Sequence, residues 1–208
     1  MAAKASSTSR RTENRAKRRQ QLIDATIRCI SKHGLGGTKL SDVARSAGLS
    51  QGIVNLHFDS KDNLLAETLR YLADEYRQNF EQALERAGPD PAGRILALME
   101  TDLRPSICEP RKLAVWFAFW GEVKAVPTYR KICQQRDSAY GEALEGLCRA
   151  VIDEGGYEHD ARTVADALSA LTDGQWLACL VNPRQFDRGR ALEAVRSYLR
   201  AVFPRHFD

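Results

Sequence analysis

Residues Thr38–Leu65 have the sequence TKLSDVARSAGLSQGIVNLHFDSKDNLL, and this stretch decides the fold. Its apolar positions follow helical spacing over Lys39–Ala47, and Thr38 is suited to cap the start of that helix. Gly48 then ends the helix, because glycine accepts the left-handed conformation common just past a helix C-terminus. Leu49 is expected to turn inward, which predicts a tight turn into another helix.

The second helix of the pair is predicted over Gln51–His57, with Ser50 as its N-cap. Two helices joined by a short glycine-containing turn are the arrangement that places the second helix in the DNA major groove. Gln51 and Asn55 are four residues apart on one face, and their amides pair well with base edges, adenine in particular. The small Gly52 allows close approach to a phosphate. The same pattern also occurs in helical proteins that do not bind DNA, so it needs support from elsewhere in the chain.

The charge distribution supplies that support. Residues 1–62 carry a net charge of +7, whereas residues 63–208 carry −3, so the total of +4 hides an uneven distribution of charge along the chain. A basic end beside a mildly acidic body is typical of a nucleic-acid contact, because cations that replace counterions on phosphate gain free energy. The alternative is a solvated basic tail, and residues 1–14 are predicted to form a flexible basic arm.

The run ISKHGLGGTKLSDVARSAGLSQGIVNLHFDSKDNLL within residues 18–65 resembles the N-terminal DNA-binding domain of the TetR family of transcriptional repressors. The resemblance rests on the A-x-x-A-G-[VL]-S turn, on a glycine in the second helix and on HF-x-x-K-x-x-LL after it. It implies that Thr38 and Lys61 hold phosphates. It also implies a DNA-facing set of Gln51, Gly52, Asn55 and His57. The chain departs from the family at Asn55, where many members have an aromatic residue, so Asn55 is expected to read a base or bind backbone instead.

After this DNA-binding segment, the apolar residues recur at helical spacing almost throughout, so the fold is predicted to be all-α. The predicted helices are Asp62–Ala87, Ala92–Arg104, Arg111–Val126, Thr128–Glu154, His159–Val181 and Asp187–Phe203. The predicted organisation is a three-helix, helix-turn-helix DNA-binding domain over 15–61 and a helical effector-binding and dimerisation domain over 62–208.

Several classes of protein are disfavoured by the sequence. No segment approaches the roughly 20 apolar residues needed to span a bilayer, and the N-terminus lacks the apolar core of a secretory signal. Wide cysteine spacing favours reduced thiols, the histidines show no metal-ligand spacing, and no catalytic constellation or cofactor motif is present. We therefore expect a cytoplasmic protein that is not an enzyme and that needs neither a metal nor a cofactor.

A second informative stretch is LAVWFAFWGE, residues 113–122. Trp116, Phe119 and Trp120 share one helix face, and Trp176 follows Asp173 by one turn on a later helix. Aromatic faces with a nearby carboxylate suit a quaternary ammonium ion, which is held by cation–π attraction. Packing of these aromatics in an ordinary core is the alternative. The stretches KLAVWFAFWGEVKAVPTYRKI and LTDGQWL resemble the C-terminal domain of the BetI subgroup, which implies a choline-like effector; another small aromatic or hydrophobic effector remains open.

The last two predicted helices each carry an apolar seam at helical spacing. These seams consist of Val164, Leu168 and Leu171 on one helix and Leu192, Val195 and Leu199 on the other. They are predicted to form a homodimer interface, because a two-fold dimer matches a pseudo-palindromic operator, and the family dimerises through its last two helices. Packing of each seam on its own chain is the alternative.

The predicted mechanism follows from the link between the DNA-binding domain and the effector-binding domain. A ligand shifts DNA affinity only if it binds one arrangement of the two DNA-binding domains of the dimer better than another. The ligand site must therefore act through the helix that follows the DNA-binding domain. The prediction is a repressor whose operator binding is released or modulated by the effector. A helical adaptor whose basic end binds an acidic partner, or an enzyme working in the aromatic pocket, are the competing classes.

Overall fold

The computed structural model describes the backbone of residues 2–207 and the side chains of residues 12–207. Over that part of the chain it contains nine helices and no strand, which confirms the all-α prediction. The helices are α1 (Ala2–Gly37), α2 (Leu40–Ala47), α3 (Gln51–His57), α4 (Lys61–Arg86), α5 (Pro91–Asp102), α6 (Pro110–Glu122), α7 (Pro127–Gly155), α8 (Ala161–Val181) and α9 (Arg188–Val202). The predicted spans after the head each correspond to one of the helices α4 to α9, with ends that differ by up to four residues.

The chain divides into two compact units. The first unit comprises residues 1–72 and 114–129, and the second comprises residues 73–113 and 130–208. Helices α4, α6 and α7 each contribute residues to both units, so the boundary falls inside helices. Neither composition nor helix-breaking glycine and proline residues can locate such a boundary, because it does not lie in a loop.

Helices α1, α2 and α3 and the start of α4 share one apolar core in the first unit. Its buried members are Leu22, Ile23, Ala25, Cys29, Val43, Ala44, Ala47, Val54, Phe58 and Leu64. Two side chains of α1 also bind the C-terminal carbonyls of α2: Gln21 Nε2 donates to Ala47 O at 2.9 Å, and Arg28 Nη2 donates to Ser46 O at 2.8 Å. These bonds satisfy acceptors that a helix end leaves without an intrahelical partner.

The turn between α2 and α3 forms as predicted at its centre. Gly48 is left-handed, with φ 64° and ψ 33°, and the Leu49 amide donates to Ala44 O at 2.9 Å. Leu49 is partly buried against the head core. Ser50 occupies the N-cap position of α3, but no side-chain capping bond is present there; its carbonyl instead accepts from Ile53 N at 3.0 Å.

The predicted capping role of Thr38 is wrong. Lys39 occupies the N-cap of α2, and Thr38 Oγ1 donates instead to Gly34 O at 2.7 Å. Gly34 has φ 70° and kinks α1 at the residue that accepts this bond. Thr38 thereby fastens the end of α1 to the start of α2.

The flexible basic arm over residues 1–14 stays a prediction. Helix α1 begins at Ala2, so the backbone of residues 2–14 is helical. The side chains of Arg10 and Arg11 lie outside the described residues.

In the second unit, three aspartates set the starts of helices. Asp90 accepts from Gly93 N at 2.7 Å, Asp160 from Thr163 N at 2.8 Å and Asp187 from Arg190 N at 3.1 Å, at the N-termini of α5, α8 and α9 respectively. A carboxylate at this position satisfies an exposed amide and opposes the positive end of the helix dipole. Helices α5, α8 and α9 then pack against one another around apolar side chains. No described helix is both long and apolar enough to cross a membrane.

Candidate nucleic-acid interface and buried aromatic cluster

Helix α3 is held against the head core by Val54 and by Phe58, the residue that caps its C-terminus, so its other side faces outward. Val54 and Phe58 are buried and four residues apart, so they fix α3 against the head core. Gln51, Gly52 and Asn55 are exposed on the other side. The structure thus brings these three predicted DNA-facing residues onto one accessible surface.

Gly52 is not required by the packing of the protein. A Cβ built on it would meet only Ser50 Oγ at 3.8 Å, an ordinary van der Waals contact, and its φ is not positive. Its small size is therefore free to serve an external group that approaches α3 closely.

His57 lies at the edge of this surface, partly buried beside Phe58. Burial lowers the pKa of His57, and the charges of Arg15, Arg19 and Arg18 lower it further. The ring is therefore neutral at pH 7. Of these three arginines of α1, Arg19 has its guanidinium carbon 5.7 Å from the centre of the Phe58 ring at the end of α3.

The two predicted phosphate ligands differ in accessibility. Lys61 is partly exposed at the first position of α4, and its Nζ donates to Gly36 O at 3.4 Å. Thr38 is only 1% exposed and its hydroxyl is bonded to Gly34, which leaves its side chain without a surface for a phosphate. Arg19 forms an ion pair with Glu67, and its guanidinium carbon lies 5.7 Å from the centre of the Phe58 ring.

The five predicted ligand residues fall in two different units. Trp116, Phe119 and Trp120 belong to the first unit, where Phe119 packs edge-on against Tyr129 at 4.8 Å and Trp116 lies 6.3 Å from Trp120. Phe119 and Trp116 are buried there. That these side chains bind a ligand stays a prediction.

Trp176 and Asp173 belong to the second unit, where Trp176 joins a cluster of side chains that sequence reasoning missed. We call it the Asp102 cluster; it comprises Tyr76, Phe80, Asp102, Arg136, Tyr140 and Trp176. Tyr76 and Phe80 on α4 are four residues apart, as are Arg136 and Tyr140 on α7. This spacing is visible in the sequence.

A buried carboxylate organises the Asp102 cluster. Tyr76 Oη donates to Asp102 Oδ1 at 2.7 Å, Tyr140 Oη donates to Oδ2 at 2.6 Å, and Trp176 Nε1 donates to the Asp102 backbone oxygen at 2.8 Å. Burial raises the pKa of Asp102 from 3.8 to about 6, although the two tyrosine hydroxyls and Arg136 act in the opposite direction. Both oxygens thus accept bonds that orient the rings around them.

A cation already lies against the aromatic faces of this cluster. The guanidinium carbon of Arg136 is 4.5 Å from the centre of the Tyr76 ring and 5.6 Å from that of Trp176. The Arg136 side chain is only 7% exposed. Asp173 is close enough to interact with Arg136, and burial raises the pKa of Asp173 while Arg136 lowers it. The cluster therefore combines aromatic faces, carboxylates and one internal cation.

Four of the six residues of the predicted dimer seams are buried within the protomer. Val164, Leu168, Val195 and Leu199 are buried, because α8 and α9 pack on each other and on α5 within one chain. These four cannot contact a second copy in this conformation, and Leu171 and Leu192 are partly buried. The exposed apolar side chains of α8 are instead Leu177 and Val181, at 48% and 64% exposure.

Comparison with known proteins gives consistent results. Residues 22–68 match the family of bacterial regulatory proteins named tetR, and residues 91–204 match the BetI-type transcriptional repressor C-terminal family. The HTH-type transcriptional regulator BetI of Paraburkholderia xenovorans is 32% identical over 89% of this chain and 93% of its own.

Two solved structures are similar over most of the chain. A transcriptional regulator from Pseudomonas aeruginosa is 29% identical, with a TM-score of 0.81 over 92% of this chain and 93% of its own. A transcriptional regulator from Saccharomonospora viridis, solved in complex with choline, is 22% identical, with a TM-score of 0.77 over 88% of this chain and 96% of its own.

Proposed function

This chain belongs to the TetR family of transcriptional regulators and has a BetI-type C-terminal domain, and from this we propose a homodimeric repressor of a pseudo-palindromic operator, controlled by a small cationic effector. The family is one of transcription regulators rather than enzymes. The observation that carries the proposal is the exposed surface of α3 that bears Gln51, Gly52 and Asn55, with the guanidinium of Arg19 near the end of the helix. Since DNA is the partner, we place the protein in the cytoplasm.

On this face we assign roles by chemistry. The amides of Gln51 and Asn55 read base edges, the bare Gly52 lets the backbone approach the DNA, and Lys61 holds a phosphate. His57 contributes as a neutral group at the edge of the face.

The test compares operator with random DNA in binding titrations at several salt concentrations. Lys61→Ala is expected to weaken binding to both and to lower the salt slope by about 1, whereas Gln51→Ala and Asn55→Ala are expected to reduce the operator-to-random ratio. If the two amide variants keep the wild-type ratio, the assignment of the reading face fails. Binding that is neither salt-dependent nor sequence-selective would favour the alternative of an adaptor with an acidic protein partner.

The dimer is proposed to form through the surfaces of α8 and α9 that the protomer leaves exposed. Leu177 and Val181 are four residues apart on α8, so they share a face that a second copy can cover. A two-fold pair then presents its recognition helices to half-sites roughly 34 to 36 Å apart, or a multiple of that. Sedimentation at micromolar concentration is expected to give a dimer for the wild type and a monomer for Leu177→Glu; a wild-type monomer refutes the proposal.

We propose the Asp102 cluster as the part of the second unit that senses the effector. The faces of Tyr76 and Trp176 already hold the guanidinium of Arg136, so they are electrostatically suited to a cation. A quaternary ammonium such as choline would compete with Arg136 for these faces, with Asp173 adding opposite charge. A regulator of the same fold from S. viridis has been crystallised with choline, which makes choline the first compound to test.

Helix α4 offers the route from effector to DNA. It carries Lys61 at its start in the first unit and Tyr76 further along in the second unit. An effector that changes the position of Tyr76 therefore acts on the same continuous helix that carries Lys61. We propose that this shifts the separation of the two heads and releases the operator.

Calorimetric titration with choline and glycine betaine tests this site. We expect choline to bind, and Arg136→Met to bind choline about tenfold more tightly, because the internal competitor is gone. Lys131→Met, an exposed position on the same helix, is the matched control. No heat at millimolar choline with either the wild type or Arg136→Met refutes the cationic effector and favours another small aromatic or hydrophobic one. Trp116, Phe119 and Trp120 form a second candidate group, to be tested by the same titration on Trp120→Ala.

A further inference from the structure

Leu56 is the most exposed of the large apolar side chains that the structure describes. It is 71% exposed on α3, although α3 is anchored by its other face in the head core. Nothing in the packing of this chain uses the side chain. Most of this side chain is therefore accessible to a partner that approaches α3 from outside the protomer.

The position of Leu56 on the helix points to the partner. Leu56 follows Gly52 by four residues, so the two share a face, and Asn55 and Gln51 form the adjoining row. A leucine on a helix points back toward the preceding turn, which here is occupied by a glycine without a side chain. The isobutyl group thus lies on the same surface as the amides, next to an open space.

The charge around this surface selects nucleic acid over an apolar protein groove. Arg15, Arg18 and Arg19 are close enough to α3 to act on His57. On the protein, arginine side chains lie near one exposed apolar side chain. In DNA, phosphate groups lie along both edges of the major groove, so the charges of the two surfaces are complementary. The apolar feature that the major groove offers is the 5-methyl group of thymine.

We propose that Leu56 reads the 5-methyl group of a thymine in the operator half-site, beside the base read by Asn55. The inference rests on the proposed DNA binding and adds a base-specific contact to it. Because an asparagine amide pairs best with adenine, the two residues together favour A·T pairs at adjacent or opposite positions.

The experiment replaces thymine by deoxyuridine, which removes only the methyl group. An operator is first selected from a random duplex library with the wild-type protein, and each thymine is then replaced in turn. We expect one position per half-site at which the replacement weakens wild-type binding about fourfold, the value of one buried methyl group. Leu56→Ala is expected to bind the thymine operator more weakly and to lose nothing further with deoxyuridine at that position.

Two controls separate this contact from other causes. Leu56→Met keeps an apolar side chain and is expected to retain the deoxyuridine effect, and Gln51→Ala is expected to retain it because it lacks only an amide. Since Leu56 is exposed, Leu56→Ala should keep the thermal unfolding temperature and the dimer mass of the wild type. A changed mass would show that Leu56 contacts a second copy and would overturn the inference.

The outcomes also separate this inference from the proposed function. Selection of an operator whose binding is insensitive to deoxyuridine at every position, or equal sensitivity in Leu56→Ala, overturns the role of Leu56 while the DNA-binding function stands. Failure to enrich any sequence overturns both.

Discussion

Replacing Asp102 by asparagine is expected to change how stability depends on pH. Asp102 is 1% exposed, and burial raises its pKa to about 6 in the folded protein, against 3.8 as its ordinary value. The folded state therefore favours the protonated carboxyl. Its stabilising contribution is fully present below about pH 4 and is lost as the pH rises through about 6. At 1.36 kcal/mol per pKa unit, the complete loss amounts to about 3 kcal/mol.

Asparagine cannot ionise, so Asp102→Asn should escape this loss. The stability of the variant relative to the wild type is expected to rise by about 2 kcal/mol between pH 4.5 and pH 7.5, because part of the transition lies below pH 4.5. Urea unfolding at fixed ionic strength and fixed protein concentration measures this difference, and the constant concentration is needed because dimer dissociation contributes to unfolding. Asp74→Asn, on the exposed side of α4, controls for the loss of one negative charge.

A second variant tests the cause of the shift. Tyr76 donates to Asp102 Oδ1 and lowers the pKa of that carboxyl, so Tyr76→Phe should raise it further and enlarge the loss of stability at neutral pH. Arg136, Tyr140 and Asp173 act on the same carboxyl and are unchanged in this comparison. If the wild type and Asp102→Asn keep a constant stability difference from pH 4.5 to 7.5, the reasoning from burial is refuted.

Three glycine substitutions test other parts of the structure. Gly52→Ala should leave the free energy of unfolding unchanged or raise it by about 0.5 to 1 kcal/mol, but it should weaken operator binding about tenfold. Gly146 in α7 also has no close neighbour, so Gly146→Ala is the control and should leave DNA binding unchanged. Equal operator binding by the two variants would contradict the role of Gly52. Gly48→Ala should destabilise the head by about 1 kcal/mol, seen by urea unfolding, because its φ of 64° strains any residue with a Cβ; no loss would mean that the turn adopts another conformation. Gly155→Ala would overlap the ring of Tyr157 and should cost about 1 to 3 kcal/mol, with faster proteolysis of the C-terminal residues as a second readout; unchanged stability and proteolysis would refute the close packing there.

The sequence alone determined the helices and the class of function. Helical spacing and the glycine, proline and capping signals locate α2 to α9 to within a few residues, because these features act between neighbours in the chain. Gly48 is left-handed as predicted, since a tight helix-to-helix turn imposes that conformation locally. The exposure of Gln51, Gly52 and Asn55 followed from the spacing of α3 alone.

The tertiary structure decided what each face contacts. Apolar spacing cannot tell whether a helix packs on its own chain or on a partner, and the structure buries Val164, Leu168, Val195 and Leu199 inside the protomer. Burial likewise decided the environment of Thr38, which is 1% exposed and whose hydroxyl donates to Gly34 O.

The Asp102 cluster is the clearest example of what the sequence could not show. Its members come from α4, α5, α7 and α8, and residues as much as 74 apart in sequence share a hydrogen bond. Hydrogen bonding to a buried carboxylate depends on distances across the fold rather than on spacing along one helix. For the same reason, the sequence could identify Trp176 as an aromatic of interest, but only packing showed that its ring lies against the guanidinium of Arg136.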